Sequence, residues 1–187
     1  MKYKAFSKRN NLACWAVLVL LGISTASAAP KRGIQGQPAP EWGVTQWHQL
    51  PEGKTSLGLS DFKGKVVYLY GFQSWCPGCH SSGFPTLKKV SEHYQDDDAV
   101  AFVAIQTVFE GFGINTFEKV KAIAKKYELT MPMGQSGSKD ARSQVMRGYR
   151  TGGTPWTIII GKDGKVAFND FHIAPDQAIK LIDGLKK

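Results

Sequence analysis

An apolar segment that leads directly into a pair of cysteines most constrains how this chain can fold. Residues 65–72 (KVVYLYGF) are rich in β-branched and aromatic side chains without polar alternation, which is typical of a strand buried on both faces. Two residues separate Cys76 from Cys79, and Pro77 suits the first position of a helix. The apolar stripe of that predicted helix is Phe84, Leu87, Val90 and Tyr94. The predicted order is therefore strand, cysteine pair, helix.

The next segment repeats the strand-helix alternation. Residues 99–105 are apolar and follow an acidic turn, which predicts a second buried strand. Asn115, with Glu118 three residues later, resembles the capping box of a helix over residues 117–127. The first half of the domain is therefore predicted to be β-α-β-α.

The C-terminal segment predicts an antiparallel edge to the same sheet. A short helix is predicted over residues 139–149, and residues 156–160 and 165–168 flank a Lys-Asp-Gly turn as a hairpin. A last helix begins at Pro175. Together these elements predict an α/β fold with a central mixed β-sheet flanked by helices, and a site where Cys76 follows its strand.

The N-terminal segment predicts a secretory signal peptide over residues 1–28. Its apolar run, residues 12–23, is shorter than the roughly 20 residues that a membrane-spanning helix needs. Residues 26–28 (Ala-Ser-Ala) supply the small side chains of a cleavage site. Cys14 stands at the start of the run, which does not fit a lipid-anchored cysteine. The basic residues before the run are Lys2, Lys4, Lys8 and Arg9.

Composition and charge narrow the class of protein further. A hydrophobic content of 42% excludes disorder for most of the chain. Residues 29–41, rich in Pro and Gly, predict a flexible lead-in, and residues 42–187 suit a single domain. The basic leader accounts for nearly half of the net charge of +9, and the remaining excess is scattered. We therefore predict no nucleic-acid partner.

The two cysteines of the domain indicate redox chemistry. A disulfide across two residues closes too small a loop to stabilise a fold appreciably. Cys76 is predicted to lie where free N–H groups and the helix dipole stabilise a thiolate and lower the pKa of a thiol. Cys79, one turn inward, is then predicted to be the buried resolving thiol, with a mixed disulfide as intermediate.

The motif Trp75-Cys76-Pro77-Gly78-Cys79 after an apolar strand, with Gly153-Thr154-Pro155 before a hairpin, resembles the thioredoxin superfamily. The resemblance spans most of residues 57–187. Residues 59–67 (LSDFKGKVV) are similar to the exported TlpA/ResA-like redoxin branch. The length between Cys79 and Pro155 leaves room for a strand-helix insertion relative to a minimal thioredoxin, and is too short for the helical domain of DsbA-type oxidases.

The resemblance implies a substrate groove around the cysteine pair. Pro155 is implied to be a cis-proline facing the sulfurs, and Thr154 to offer backbone groups to an extended substrate segment. Trp75 and Trp156 are implied to flank the groove. Pro77 and Gly78, which lie between the cysteines, are the remaining residues implied to line the groove.

Two positions depart from the family pattern. Tyr70 stands six residues before Cys76, where thioredoxins carry a buried acid, and Ser82 stands three after Cys79, where the TlpA/ResA branch carries Glu. Glu110 is the remaining candidate for a proton acceptor. The proline expected to kink the helix, Pro85, lies six residues after Cys79.

The resemblance implies an exported enzyme without metal or cofactor. Its expected partners are exported cysteine-containing proteins, among them apocytochromes c, and a membrane thiol electron donor. Pro77 and Gly78 add no charge beside the thiolate, which predicts a weakly oxidising pair and favours a periplasmic reductase over an oxidase or isomerase.

Other functions for the same residues remain open from the sequence. Cys76 to His80 also spell C-x-x-C-H, the attachment motif of c-type haem. The conceivable distal haem ligands are Met131, Met133 and Met146. Zinc is a weaker alternative that would need a further ligand from His48, His93 or His172. A peroxiredoxin would need Pro-x-x-x-Thr-x-x-Cys, which the residues before Cys76 do not match.

Overall fold

The computed structural model describes residues 32–44 and 46–187. The predicted signal peptide, Cys14 and the first part of the predicted lead-in lie outside these residues. Within the described residues, no helix has the length and apolar character needed to cross a membrane.

Six strands and four α-helices make up the described part of the domain. The strands are β1 (Gln46–His48), β2 (Val66–Phe72), β3 (Val100–Thr107), β4 (Met133–Ser136), β5 (Trp156–Ile160) and β6 (Val166–Asp170). The helices are α1 (Phe84–His93), α2 (Phe117–Tyr127), α3 (Gln144–Tyr149) and α4 (Pro175–Leu185), and a π-helical turn (Cys79–Gly83) leads into α1.

The strands form one mixed sheet in the order β1-β4-β3-β2-β5-β6. The pairs β2-β3 and β3-β4 are parallel, and the other three pairs are antiparallel. The predicted central mixed sheet is therefore confirmed. The segment between α1 and the hairpin of β5 and β6, where a strand-helix insertion is predicted, contains β3, α2, β4 and α3.

Strand β2 is buried on both faces, as its composition predicts. Its alternate side chains belong to two hydrophobic clusters: Tyr68 and Tyr70 face the cluster that α1, α2 and α4 cover, while Val67 and Leu69 face the cluster that includes α3 residues. All seven residues of β2 are buried. Because β2 lies between two other strands of the sheet, its C-terminal end holds the start of the cysteine loop in a fixed position.

Residues 33–39 differ from the flexible lead-in predicted for residues 29–41. The N–H of Gly36 donates to the carbonyl of Val166 (2.8 Å), and the N–H of Val166 donates to the carbonyl of Gln37 (2.9 Å). The segment thereby pairs with β6, an edge strand of the sheet that has no neighbouring strand on that side. The Pro and Gly content of residues 33–39 did not predict this pairing.

Trp42 anchors the chain that follows. It is fully buried, and its Nε1 donates to the hydroxyl of Tyr149 (3.0 Å). That hydroxyl in turn donates to the carbonyl of Pro40 (2.8 Å). Helix α3 is therefore tied to the N-terminal segment by a buried polar contact.

Two helix starts differ from their predictions. Helix α3 begins at Gln144 rather than near residue 139, because Ser143 caps it by accepting from the N–H of Met146 (3.3 Å). The residue that precedes α2 is Thr116, and Asn115 does not cap the helix. The Asn115 side chain binds elsewhere, as described below.

Candidate active site

The cysteine pair lies just beyond the C-terminal end of β2. The N–H of Cys76 donates to the carbonyl of Gln73 (3.1 Å), which closes a tight turn between strand and helix. Both cysteines are free thiols; Cys76 is 5% exposed, whereas Cys79 is fully buried. Of the two, only Cys76 is therefore reachable from outside.

The sulfur of Cys76 receives a backbone hydrogen bond from the beginning of its own helix. The N–H of Cys79 lies 3.2 Å from Cys76 Sγ. As a thiol, Cys76 can also donate to the carbonyl of Thr154, 3.4 Å away. An N–H group aimed at the sulfur stabilises negative charge there.

Pro155 packs against the helix that carries the cysteines. The Thr154–Pro155 peptide bond is cis. A Cβ on Gly78 would lie 3.2 Å from Pro155 Cδ, and a Cβ on Gly83 would lie 3.2 Å from Pro155 Cβ. The two glycines therefore let the proline approach the helix closely.

The helix is irregular between the cysteines and α1. The N–H of Phe84 bonds to the carbonyl of Cys79, five residues back, so that residues 79–83 form a π-helical turn. Pro85 lies in the first turn of α1, after this irregularity. The π turn, rather than a kink at Pro85, interrupts the regular helix.

Cys79 lies in a strongly desolvated position. Burial raises the pKa of its thiol to about 12, and its contact with Cys76 adds to this rise. The backbone of Gln73 and the hydroxyl of Tyr70 oppose the rise and lower the pKa. Cys79 is therefore protonated at neutral pH in the reduced protein.

Asn115 organises the loop that carries Cys76, a role that its sequence position did not reveal. Its side chain is 1% exposed, and its Oδ1 accepts from both the N–H (2.8 Å) and the hydroxyl (2.9 Å) of Ser74. Its Nδ2 donates to Gln73 Oε1 (2.6 Å) and to the carbonyls of Glu110 (2.9 Å) and Gly111 (3.3 Å). The loop after β3 is thus joined to the loop after β2.

The two tryptophans of the predicted groove have different environments. Trp75 is 44% exposed, and its Nε1 donates to Gln73 Oε1 (3.0 Å). Trp156 is 3% exposed, and its Nε1 donates to Asn169 Oδ1 (2.6 Å). Trp75 is therefore accessible from outside, whereas Trp156 is part of the core.

His80 is partly buried, and both of its ring nitrogens have partners within the protein. Its Nε2 donates to the carbonyl of Ser74 (2.7 Å), since a carbonyl can only accept. Its Nδ1 forms a hydrogen bond with the hydroxyl of Tyr127 (2.7 Å), and the two rings stack. His80 therefore joins the cysteine helix to the loop before it and to α2.

The sequence comparisons agree with this arrangement. A match to the Redoxin family extends over residues 34–179. The chain belongs to the Redoxin family. This redoxin is 30% identical to a thiol-disulfide oxidoreductase ResA of Bacillus cereus over 139 residues, which are 74% of this chain and 70% of that protein. It is 29% identical to ResA of Bacillus anthracis over 189 residues, covering 96% and 97% of the two chains.

Solved structures share the fold of the redoxin. The thioredoxin-like superfamily protein SPOA0173 superimposes with a TM-score of 0.72 at 31% identity, covering 79% of this chain and 95% of the other. A thiol-disulfide isomerase from Corynebacterium glutamicum gives a TM-score of 0.69 at 26% identity, with the same coverage. The redoxin is thus a thioredoxin-like, TlpA/ResA-like thiol-disulfide oxidoreductase.

The positions of the histidines and methionines are relevant to the haem and zinc alternatives. Haem attachment through the C-x-x-C-H motif would require His80 to ligate iron, yet both of its ring nitrogens are engaged within the protein. Met131 and Met133 are buried in the hydrophobic core, and Met146 lies on α3. The remaining histidines are spread over β1, the end of α1 and the segment after β6: His48, His93 and His172.

Ser82, at the position of the family Glu, and Glu110, the candidate proton acceptor, are placed differently. Ser82 donates to the carbonyl of Gly78 (3.0 Å), within the helix. Glu110 is exposed, and its backbone carbonyl binds Asn115. The side chains that act on the pKa of Cys79 are instead those of Cys76 and Tyr70.

Proposed function

We propose that this redoxin reduces disulfides in exported cysteine-containing proteins, with Cys76 as the nucleophile and Cys79 as the resolving thiol. The observation that carries the proposal is the contrast between the two sulfurs. Cys76 Sγ accepts a backbone N–H at the helix start and keeps a small exposed fraction of 5%, whereas the Cys79 thiol is fully buried with a raised pKa. Cys76 therefore suits attack on a substrate disulfide, and Cys79 suits the later attack on the mixed disulfide within the protein.

The reaction proceeds in two exchanges. The Cys76 thiolate attacks one sulfur of a substrate disulfide, and the other substrate sulfur leaves with the electron pair and takes up a proton. Cys79 then loses its proton and attacks Cys76 Sγ, which releases the second substrate sulfur as a thiol. Two electrons pass to the substrate, and a Cys76–Cys79 disulfide forms. A membrane thiol donor returns the protein to the dithiol form.

The surface around Cys76 suits an extended substrate segment. The carbonyl of Thr154 lies beside the sulfur, and Pro155 packs beside Gly78 of the cysteine helix. In the proposal these residues contact the substrate together with Pro77 and with Trp75, which is 44% exposed. Two more exposed apolar side chains, Phe112 and Ile114, lie on the loop that Asn115 joins to Ser74.

Export and direction follow from the sequence and are part of the proposal. Residues 1–28 form the expected signal peptide, so the mature protein is expected in the periplasm, where apocytochromes c are one class of substrate with paired cysteines. The neutral residues between the cysteines favour a reductase, because nothing there stabilises the thiolate beyond the helix start.

Trapping tests the proposal. The variant Cys79→Ser is expected to accumulate mixed disulfides through Cys76 in the exported fraction, and Cys76→Ser is the matched control. Equal yields from the two variants would refute the assignment of the nucleophile. A midpoint potential near about −120 mV, as strong oxidants of this fold have, would refute the reductase direction.

A further inference from the structure

Tyr70 is a buried polar side chain that the mechanism above does not use. It lies on β2 and is 1% exposed, and its hydroxyl has no conventional hydrogen-bond partner among the described residues. Buried hydroxyl groups nearly always have a partner, because desolvation without one is costly. A buried hydroxyl without a partner is therefore unusual at this position.

The π-helical turn leaves space for this hydroxyl. A Cβ on Gly83 would overlap the hydroxyl oxygen of Tyr70 and crowd Pro155. The ring of Tyr70 is held by an edge contact with Phe84, with ring centroids 5.4 Å apart, and by stacking on Phe72 at 6.2 Å. The hydroxyl therefore has a fixed position against the turn that begins at Cys79.

Cys79 begins the turn against which this hydroxyl lies, and the two side chains belong to the same buried hydrophobic cluster. The nearby Tyr70 hydroxyl opposes the larger effect of burial and lowers the pKa of the Cys79 thiol. Burial also holds the pKa of Tyr70 well above its ordinary value, so the hydroxyl keeps its proton and can only donate to a thiolate. The other titratable groups that act on Tyr70 are Cys76 and Tyr68.

We propose that Tyr70 is a catalytic residue whose hydroxyl donates a hydrogen bond to the Cys79 thiolate as it forms in the resolving step. This inference rests on the proposed function of the cysteine pair. In that step the bond between Cys76 and the substrate sulfur breaks as the Cys76–Cys79 bond forms. The substrate sulfur leaves with the electron pair and takes the proton that Cys79 gave up, while Tyr70 retains its own proton throughout.

The variant Tyr70→Phe tests the proposal, since it removes one oxygen that has no conventional partner among the described residues. Tyr68→Phe is the matched control, because Tyr68 is equally buried on the same face of β2 and its hydroxyl lies 3.5 Å from Thr157 Oγ1. A mixed disulfide between Cys76 and a labelled peptide is formed, and its formation and decay are followed separately by rapid acid quench. Formation in each variant also reports that the protein is folded.

Tyr70→Phe is expected to slow decay of the mixed disulfide by about ten- to a hundredfold, the value of a hydrogen bond to a charged group, and to leave its formation unchanged. The pH at which decay reaches half its maximal rate should also move upward. Decay within twofold of the wild-type rate, or an equal loss in Tyr68→Phe, would overturn the role of Tyr70. If no mixed disulfide forms even with Cys79→Ser, the proposed function fails instead.

Discussion

Replacement of Asn115 by Ala is the sharpest test of how the cysteine loop is held. The Asn115 side chain joins the loop after β3 to Ser74 and Gln73, immediately before Cys76, and it is 1% exposed. Alanine removes every one of these contacts without adding volume. The change therefore measures what the polar network contributes to the fold.

The expected loss is large for a single side chain. Without Asn115, the N–H of Ser74 loses its acceptor, and a buried unsatisfied donor costs about 1–3 kcal/mol. The contacts to Gln73 and to the carbonyl of Glu110 each contribute about 0.5–1.5 kcal/mol net. We expect the free energy of unfolding to fall by about 4 kcal/mol in total, and Tm to fall by roughly 10 °C.

Urea unfolding followed by tryptophan fluorescence and by far-UV circular dichroism provides the assay. Gln35→Ala is the control, because it removes an amide whose single hydrogen bond, to the carbonyl of Ala167 (3.2 Å), is exposed. The control is expected to change the free energy of unfolding by less than about 0.5 kcal/mol. A loss below about 1 kcal/mol for Asn115→Ala would mean that these hydrogen bonds do not hold the cysteine loop.

Three other predictions concern the sulfurs, the surface charges and the N-terminal segment. Iodoacetamide at pH 8 should label the reduced protein without residues 1–28, which include Cys14, once, at Cys76, because burial raises the pKa of Cys79 to about 12. Lys186 is the main cause of a lowered pKa at Asp97, so stability should fall as the pH drops below about 4 toward that lowered pKa, and Asp97→Asn should weaken this dependence in low-salt urea titrations. Tyr149→Phe should lower the free energy of unfolding by about 2 kcal/mol, because its hydroxyl bridges two buried groups.

Each of these predictions has a result that contradicts it. Two adducts that form at similar rates would mean that Cys79 is not protected. An unchanged acid transition in Asp97→Asn would mean that its contact with Lys186 does not form in solution. A Tyr149→Phe protein as stable as the wild type would mean that the indole N–H of Trp42 finds another acceptor.

Much of the fold could be predicted because its strongest patterns are local. The apolar run before Cys76 predicted a central strand, and β2 is buried over its whole length. The hairpin of β5 and β6 followed from two apolar segments around a Lys-Asp-Gly turn. Pro175 marked the start of α4. The short strands β1 and β4 were not located, since three or four residues carry too little pattern to stand out.

The polar residues of the site could not be placed in this way. Asn115 has the spacing of a helix cap, yet its side chain reaches back to the loop before Cys76. His80 follows the second cysteine and could have been solvent-exposed, yet it binds Ser74 and Tyr127. Their partners lie up to 47 residues away along the chain. Sequence spacing contains no information about such distant acceptors.

The strand, the cysteine pair and the helix that follows could be read from local sequence, because side-chain periodicity and a helix start depend on near neighbours. Which sulfur is reachable depends on long-range packing, since Cys79 is buried by Tyr70, Phe84 and the rest of the core around it. The same holds for Pro155, which meets the cysteine helix only when β5 pairs with β2. Contacts between distant segments exist only after the sheet has assembled, and they give the two cysteines their different environments.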